Sequence, residues 1–274
     1  MNYDLHTHTT FSDGAHTVDI NVKFAEAVGL EAVAITDHFT PGMRLWEEEG
    51  LFEVYLGEVS RASEWAEVLV LKGVEATLLG IKGEVSIDEE VFCRLDVVLA
   101  DLGGHTEGVT KDPPKSRGKL FANLTRCLVN AASNPLFHIL AHPFNLGRIP
   151  EPIEPAQIPR NDLREIAAAM RENGKIFEVM NCTFWWFPQM PVRRFTKQYI
   201  EIVRIFAEEG VSFSVGSDDH RTGVGNLGWS RFVLGKAEVP PEQIVDPRVF
   251  LGLITSKVAS SQRKVSCEKR RKAS

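Results

Sequence analysis

Short, unbroken apolar runs alternate along this chain with longer stretches in which apolar positions recur every three or four residues. Runs such as Ala32-Val33-Ala34-Ile35, Val68-Leu69-Val70-Leu71 and Val97-Val98-Leu99-Ala100 leave no polar position for solvent, as expected of parallel strands covered on both faces. They predict strands at about 2–5, 32–35, 68–74, 96–100, 137–141, 175–179 and 211–215. The helical spacing between them predicts helices over about 18–28, 45–67, 120–132, 162–172 and 193–209, with a last one near 247–256. In the first of these, Thr17 stands as N-cap, Ile20, Phe24 and Ala27 as the apolar face, and Gly29 as the residue that closes the helix. A loop rich in Gly, Pro and Lys runs from Gly103 to Gly118.

Strand and helix in alternation build a parallel sheet with right-handed crossovers. A closed barrel and an open doubly wound sheet both satisfy that order, and the polar residues decide between them. Six separated segments deliver His, Asp or Glu where an apolar run stops: His6 and His8, Asp37-His38, Glu75, His105, His142, and Asp218-Asp219-His220. An open sheet gathers its site between two neighbouring strands. A barrel brings all strand ends to its C-terminal face. The prediction is one α/β domain, a TIM-like barrel of about seven βα units over residues 1–258. A basic C-terminal tail, 259–274, follows and is expected to be disordered.

His6 and His8, two apart at a strand end, project to one side and can share an ion. Taken singly, each candidate has an ordinary explanation: an Asx-turn at Ser12-Asp13-Gly14, a helix cap at Thr36-Asp37, a core histidine at His142. A carboxylate at Glu75, closing a buried run, is costly without a cation. Together, at successive strand ends, they predict a metal centre. Histidine and carboxylate without thiolate suit Zn, Mn or Fe. No nucleophile elbow and no phosphate-cradling Gly-rich loop occur, so serine hydrolysis and nucleotide-dependent phosphoryl transfer lack support.

In these motifs the chain resembles the PHP (polymerase and histidinol phosphatase) family of metal-dependent phosphoesterases. The matches are His6-Thr7-His8 with Ser12-Asp13-Gly14, Ile35-Thr36-Asp37-His38, Gly73-Val74-Glu75, Gly104-His105-Thr106, Ala141-His142-Pro143 and Gly216-Ser217-Asp218-Asp219-His220. They span about residues 1–222. The resemblance implies a distorted (β/α)7 barrel and up to three divalent ions on nine ligands. One ion would take His6, His8, Glu75 and Asp218; a second Glu75, His105 and His142; a third Asp13, His38 and His220. Glu75, Asp218 and His220 would carry the catalytic centre, in which a metal-activated hydroxide attacks phosphorus. Two departures stand out: Gly-Gly-His replaces the family's more usual Ser-x-His at His105, and Asp219 adds a carboxylate beside Asp218. His16 is an alternative to Asp13, Asp37 an orienting partner for a ligand histidine, His138 structural, and Glu178 and Asn181 supporting groups.

Composition adds limits. The chain is 43% hydrophobic and 25% charged, ordinary for a globular protein. No apolar stretch reaches the roughly 18 residues of a membrane span, and the N-terminus enters a strand at once, so a cytoplasmic location without membrane partners is expected. Cys93, Cys127, Cys182 and Cys267 are widely spaced and read as free thiols. The tail from Gln262 carries a net +5, leaving −11 on the body out of the total of −6. An acidic body disfavours broad nucleic-acid binding and suits a carboxylate-rich cation site. Arg221, Arg148 and Arg117, with Lys111 and Lys115, are candidates to hold phosphate. The Phe184-Trp185-Trp186-Phe187 run reads as core, lid or stacking wall. The leading functional reading is a phosphomonoesterase for a small phosphorylated metabolite or nucleotide. A phosphodiesterase or exonuclease on short nucleic acid and a non-enzymatic metal-holding module are the alternatives, with an amidohydrolase behind them.

Overall fold

A computed structural model describes residues 1–252. Its strands are β1 (Tyr3–Asp4), β2 (Ala32–Ile35), β3 (His38–Phe39), β4 (Leu69–Thr77), β5 (Val97–Asp101), β6 (Ile139–Ala141), β7 (Ile176–Met180) and β8 (Ser212–Gly216). Neighbours pair in the order β1-β2-β4-β5-β6-β7-β8, with β3 beside β4, and every pair is parallel. The two ends of this path meet. Leu5 N donates to Val215 O at 3.2 Å, Asp218 N to His6 O at 2.9 Å and His8 N to Asp219 O at 2.9 Å. The sheet is thereby nearly closed into the expected α/β barrel, and closure is tightest at the end where the histidines lie.

The helical returns are α1 (Val18–Ala27), α2 (Arg44–Glu47), α3 (Leu51–Trp65), α4 (Glu89–Phe92), α5 (Arg117–Ala132), α6 (Arg160–Glu172), α7 (Val192–Glu208) and α8 (Gly228–Lys236). Several details differ from expectation. The helix expected over 45–67 is two helices, broken where Gly50 takes a left-handed φ of 78°. β4 runs on to Thr77, so Glu75 lies inside a strand rather than at its end. In α1 the buried face is Val18, Asn21, Val22 and Ala25, while Ile20 is exposed. The polar Asn21 disguises that stripe; it is buried because its Nδ2 donates to His8 O at 2.8 Å. Thr17 occupies the N-cap position without a side-chain cap bond, and Gly29 closes the helix as expected. α8 lies outside the expected helices, since its sequence with two glycines carries little helical signal. A 3₁₀ turn at Pro247–Val249 stands where the last helix begins in the sequence reading. Residues 253–256 of the expected helix and the basic tail lie outside the described residues.

Val33, Ala34, Ile35, Val74, Val98, Leu99, Ile139 and Val215 are fully buried, as strands sandwiched between helices and barrel interior should be. Cys127 and Cys182 are free thiols, as their wide spacing predicts, and Cys267 lies outside the described residues. Among the described residues no helix is long and apolar enough to cross a membrane.

Candidate metal centre

Three overlapping groups of ligand-type atoms converge at the C-terminal rim: His6, Glu75 and His142; His6, His8 and Asp218; and His8, Asp13, His38 and His220. Eight of the nine residues singled out from the sequence are therefore brought together. His105 belongs to none of these groups; it lies in the turn after β5, two residues beyond Gly103.

Glu75 is the hub. Its Oε1 lies 2.8 Å from His142 Nε2, and its Oε2 lies 2.8 Å from His38 Nδ1, 3.3 Å from His6 Nε2 and 3.6 Å from His8 Nε2. Asp218 Oδ1 is 3.0 Å from His8 Nε2 and 3.4 Å from His6 Nε2. Asp13 Oδ1 is 3.2 Å from His220 Nε2 and 3.7 Å from His38 Nε2. The wall deepens from Asp13, 43% exposed at the side chain, through His220 at 33% and His38 at 20%, to Glu75 at 1% and His6 at 0%.

The electrostatics call for positive charge. Burial would raise the Glu75 pKa, but His6, His38 and His142 outweigh it and hold it well below the usual carboxylate range. Asp218 is likewise lowered against its burial by His6 and His8. Burial alone would lower the His6 pKa, yet Glu178, Glu75 and Asp218 raise it well above the ordinary value. His38 rises to about 9 by the same balance, led by Glu75, while burial and the neighbouring imidazoles take His8 down to about 3. Buried carboxylates that can only be balanced by protonating histidines are equally served by divalent cations. A direct sign is His6 Nε2: it is buried and has no hydrogen-bond partner, while Nδ1 of the same ring lies 2.8 Å from Glu178 Oε1. Donation from Nδ1 to Glu178 would leave Nε2 a free lone pair facing Glu75 and Asp218, the tautomer a metal ligand needs. The donor set fits divalent ions.

Backbone strain sits on the same residues. His142 and Asp218 have φ of 27° and 54°, a region costly for residues with a Cβ and found where surrounding structure over-determines it. Glu178 on β7 secures the first, its Oε2 accepting from His142 N at 2.8 Å. The His6 carbonyl secures the second through Asp218 N. A Cβ at Gly216 would stand 2.3 Å from Glu178 Oε1 and 2.4 Å from His6 Cβ, so only glycine permits this closeness.

The supporting residues sort differently from expectation. Asp37 does not orient a histidine. It accepts from Thr9 N, Thr9 Oγ1, Ser12 N and Ser12 Oγ at 2.7–3.0 Å and so shapes the turn that carries Asp13. Asp219 does not compete with Asp218; its Oδ1 accepts from Arg221 N and Gly223 N. Asn181 caps the start of α8 by accepting from Trp229 N at 3.0 Å. His138 takes a structural place, its Nδ1 accepting from Val98 N at 3.0 Å. Two carboxylates went unread in the sequence. Asp4 is fully buried and joins β1 to the segment after β8, accepting from His6 N, Ser217 N and Gly225 N. Burial raises its pKa to about 6. Asp101 ends β5, and burial with the nearby Glu75 charge pushes its pKa to about 6. Both end or flank apolar runs, the signal that marked Glu75.

A cavity of about 720 Å³ opens over the cluster, lined by Asp13, His38, Asp101, His142, Asp218 and His220 on one side and by Asn145, Arg148, Trp185 and Trp186 on the other. Arg148 lies 5.5 Å over Trp185 and 6.0 Å over Trp186. Arg117, in the first turn of α5, and Arg221 are exposed and do not line this cavity. Trp186 packs on His142, while Trp185 is 69% exposed; the aromatic run is thus divided between packing and cavity wall.

A near-closed parallel barrel with histidine and carboxylate clusters on its C-terminal rim is the build of a metal-dependent hydrolase. The chain belongs to the PHP domain family, whose profile matches residues 4–181. A probable phosphatase of Caldanaerobacter subterraneus subsp. tengcongensis is 32% identical over 222 residues, covering 79% of this chain and 75% of the relative. A probable phosphatase of Thermoanaerobacter sp. is 28% identical over 272 residues, with 97% of each chain covered. The structure of histidinol phosphate phosphatase from Lactococcus lactis subsp. lactis, complexed with zinc, L-histidinol and phosphate, superposes with a TM-score of 0.66 at 20% identity, covering 87% of this chain and 94% of that one. It shares the fold.

Proposed function

We propose that this metal-dependent phosphoesterase cleaves the monoester of a small phosphorylated metabolite or nucleotide and releases inorganic phosphate. The convergence of four imidazoles on Glu75, two of them shared with Asp218, beneath a cavity of about 720 Å³ carries the reading. His6, His8, Glu75 and Asp218 would hold one ion, Glu75 and His142 would contribute to a second, and Asp13, His38 and His220 would hold a third. When bound, divalent ions would supply a water of lowered pKa and positive charge for the phosphoryl oxygens. Glu178 fixes the His6 ring and the His142 backbone, so both ligands are oriented before any ion arrives. Arg148, held at the cavity rim against Trp185, would take a phosphate oxygen, and Trp185 would offer a ring face to the leaving group.

Size and charge favour the monoester. The body of the chain is acidic, and among the described residues the cavity gathers one arginine and no run of basic residues, so a long polyanion gains little beyond the metals. The test is phosphate release from a nucleoside monophosphate, a sugar phosphate and histidinol phosphate against cleavage of a dinucleotide. Faster turnover of at least one monoester is expected. Processive release of mononucleotides from an oligomer, outpacing every monoester, would replace this reading with an exonuclease.

A further inference from the structure

The sequence leaves the second ion dependent on His105, and the structure does not bring His105 to it. We infer that Asp101, not His105, completes the second metal position beside Glu75 and His142. The inference rests on the metal-centre reading above and refines one position of it.

Register places the carboxylate. Glu75 pairs laterally with Leu99, Thr77 with Asp101, and Asp101 with Ala141. Laterally paired residues of a parallel sheet point to the same face, and positions two apart share that face. Asp101 therefore faces the barrel interior with Glu75, one layer nearer the rim and one strand over. The next strand to the same side is β6, which ends at Ala141 and hands on to His142. Asp101 thus stands between the strands that supply the other two ligands. Its oxygens stand outside the three tight ligand groups, as His105 does, but unlike His105 it lines the same cavity as His142, Asp218 and His38.

Two further observations show that the group is not placed there for packing. Asp101 Oδ1 is buried and has no hydrogen-bond partner, a costly condition for a carboxylate oxygen unless a cation or a proton occupies its lone pair. Gly103 makes the room: a Cβ there would fall 2.2 Å from Asp101 Oδ2. The two glycines before His105 let the chain turn tightly past the carboxylate, and His105 beyond them neither joins the ligand groups nor lines the cavity. A carboxylate in place of an imidazole also makes the second position harder, favouring Mn or Fe over Zn more than an all-histidine set would.

Metal binding by the full-length protein tests this without any substrate. Chelated protein is titrated with Mn(II), and bound ions per chain are counted at equilibrium. Asp101→Ala and Asp101→Asn are expected to lose one equivalent or to bind it at least ~10-fold more weakly, the scale seen even for outer-shell losses, while His105→Ala matches the parent. The Asn variant keeps the volume and guards against a folding defect in the Ala variant, with circular dichroism as the check. Loss of an equivalent in His105→Ala, with either Asp101 variant at the parental count, overturns the assignment. Glu75→Ala separates the two levels: if it retains every ion, the metal-centre reading itself falls and this one with it. In crystals soaked with Mn(II), anomalous density within about 2.2 Å of an Asp101 oxygen would support the ligand directly; a fully occupied ion beside Glu75 and His142 that leaves Asp101 untouched would refute it.

Discussion

Glu178 shows how much of this centre depends on a residue that need not touch an ion. One carboxylate oxygen meets His6 Nδ1 and the other accepts from His142 N, both at 2.8 Å. Glu178→Ala should therefore cost roughly 10–100-fold in metal affinity or turnover, read by metal titration and phosphate release, with the fold intact by circular dichroism. An unchanged affinity would mean that neither ligand needs orienting. Glu75→Ala should go further and abolish nearly all hydrolysis, because the same side chain faces four imidazoles. At this scale the sequence was legible where chemistry and burial coincide: His6, His8, Glu75 and His142 are polar residues closing apolar runs. It was illegible where a role depends on distant chain. Asp37 reads as a histidine's partner, but its actual partners, Thr9 and Ser12, lie about 25 residues away and are set by how the first loop folds over β2. His105, a ligand by pattern, stands outside the groups because the course of its turn is set by Gly103 and Gly104 rather than by the strand before it.

At the scale of elements, strand order and the turns after strands place the site. Gly216 ends β8 against Glu178 and His6, so Gly216→Ala should cost about 1–3 kcal/mol by overpacking and lower metal affinity as well. Chemical denaturation and metal titration together check it; a loss of stability with metal affinity unchanged would separate strand packing from the site. Lys175, entering β7 from the opposite end, gives a pH test clear of the metals. Its Nζ donates to Asn134 O and Phe137 O, and burial lowers its pKa from 10.5 to about 7. Below pH 7 both folded and unfolded chains hold the proton. From about 7 towards 10 only the unfolded chain does, so this residue makes stability rise with pH over that window. Lys175→Met should flatten the rise, measured as Tm at several pH values; an identical slope would contradict the assignment. Strand positions were legible because unbroken apolar runs of this length have few other uses. The α1 face and the break at Gly50 were not, since burial of Asn21 and a left-handed glycine answer to neighbouring elements rather than to local pattern.

At the scale of the whole molecule, the barrel separates two ends with different character. The C-terminal end carries the ligand clusters. The N-terminal end opens a cavity of about 780 Å³ lined by Tyr3, Ala32, Leu69, Val239 and Ile244, with none of those clusters among the described residues. The basic segment 259–274 contributes none of the nine sequence-identified ligands, so its deletion is expected to leave metal binding and small-substrate turnover near the parental level. A raised KM that shrinks with added salt would place its charge beside the substrate. A barrel was legible because six strand ends carrying ligand-type residues have no other common meeting point; the identity of the ester was not, because one metal centre serves many phosphate esters. The most direct test of the account couples metal to chemistry in a single titration. Chelated protein is mixed with a phosphate monoester, and phosphate release is followed as Mn(II) or Zn(II) is added back. The account predicts no release without metal and a rate that rises with the ions bound and levels when the centre is full. Release at the full rate from the chelated protein, or a rate indifferent to occupancy, would contradict it.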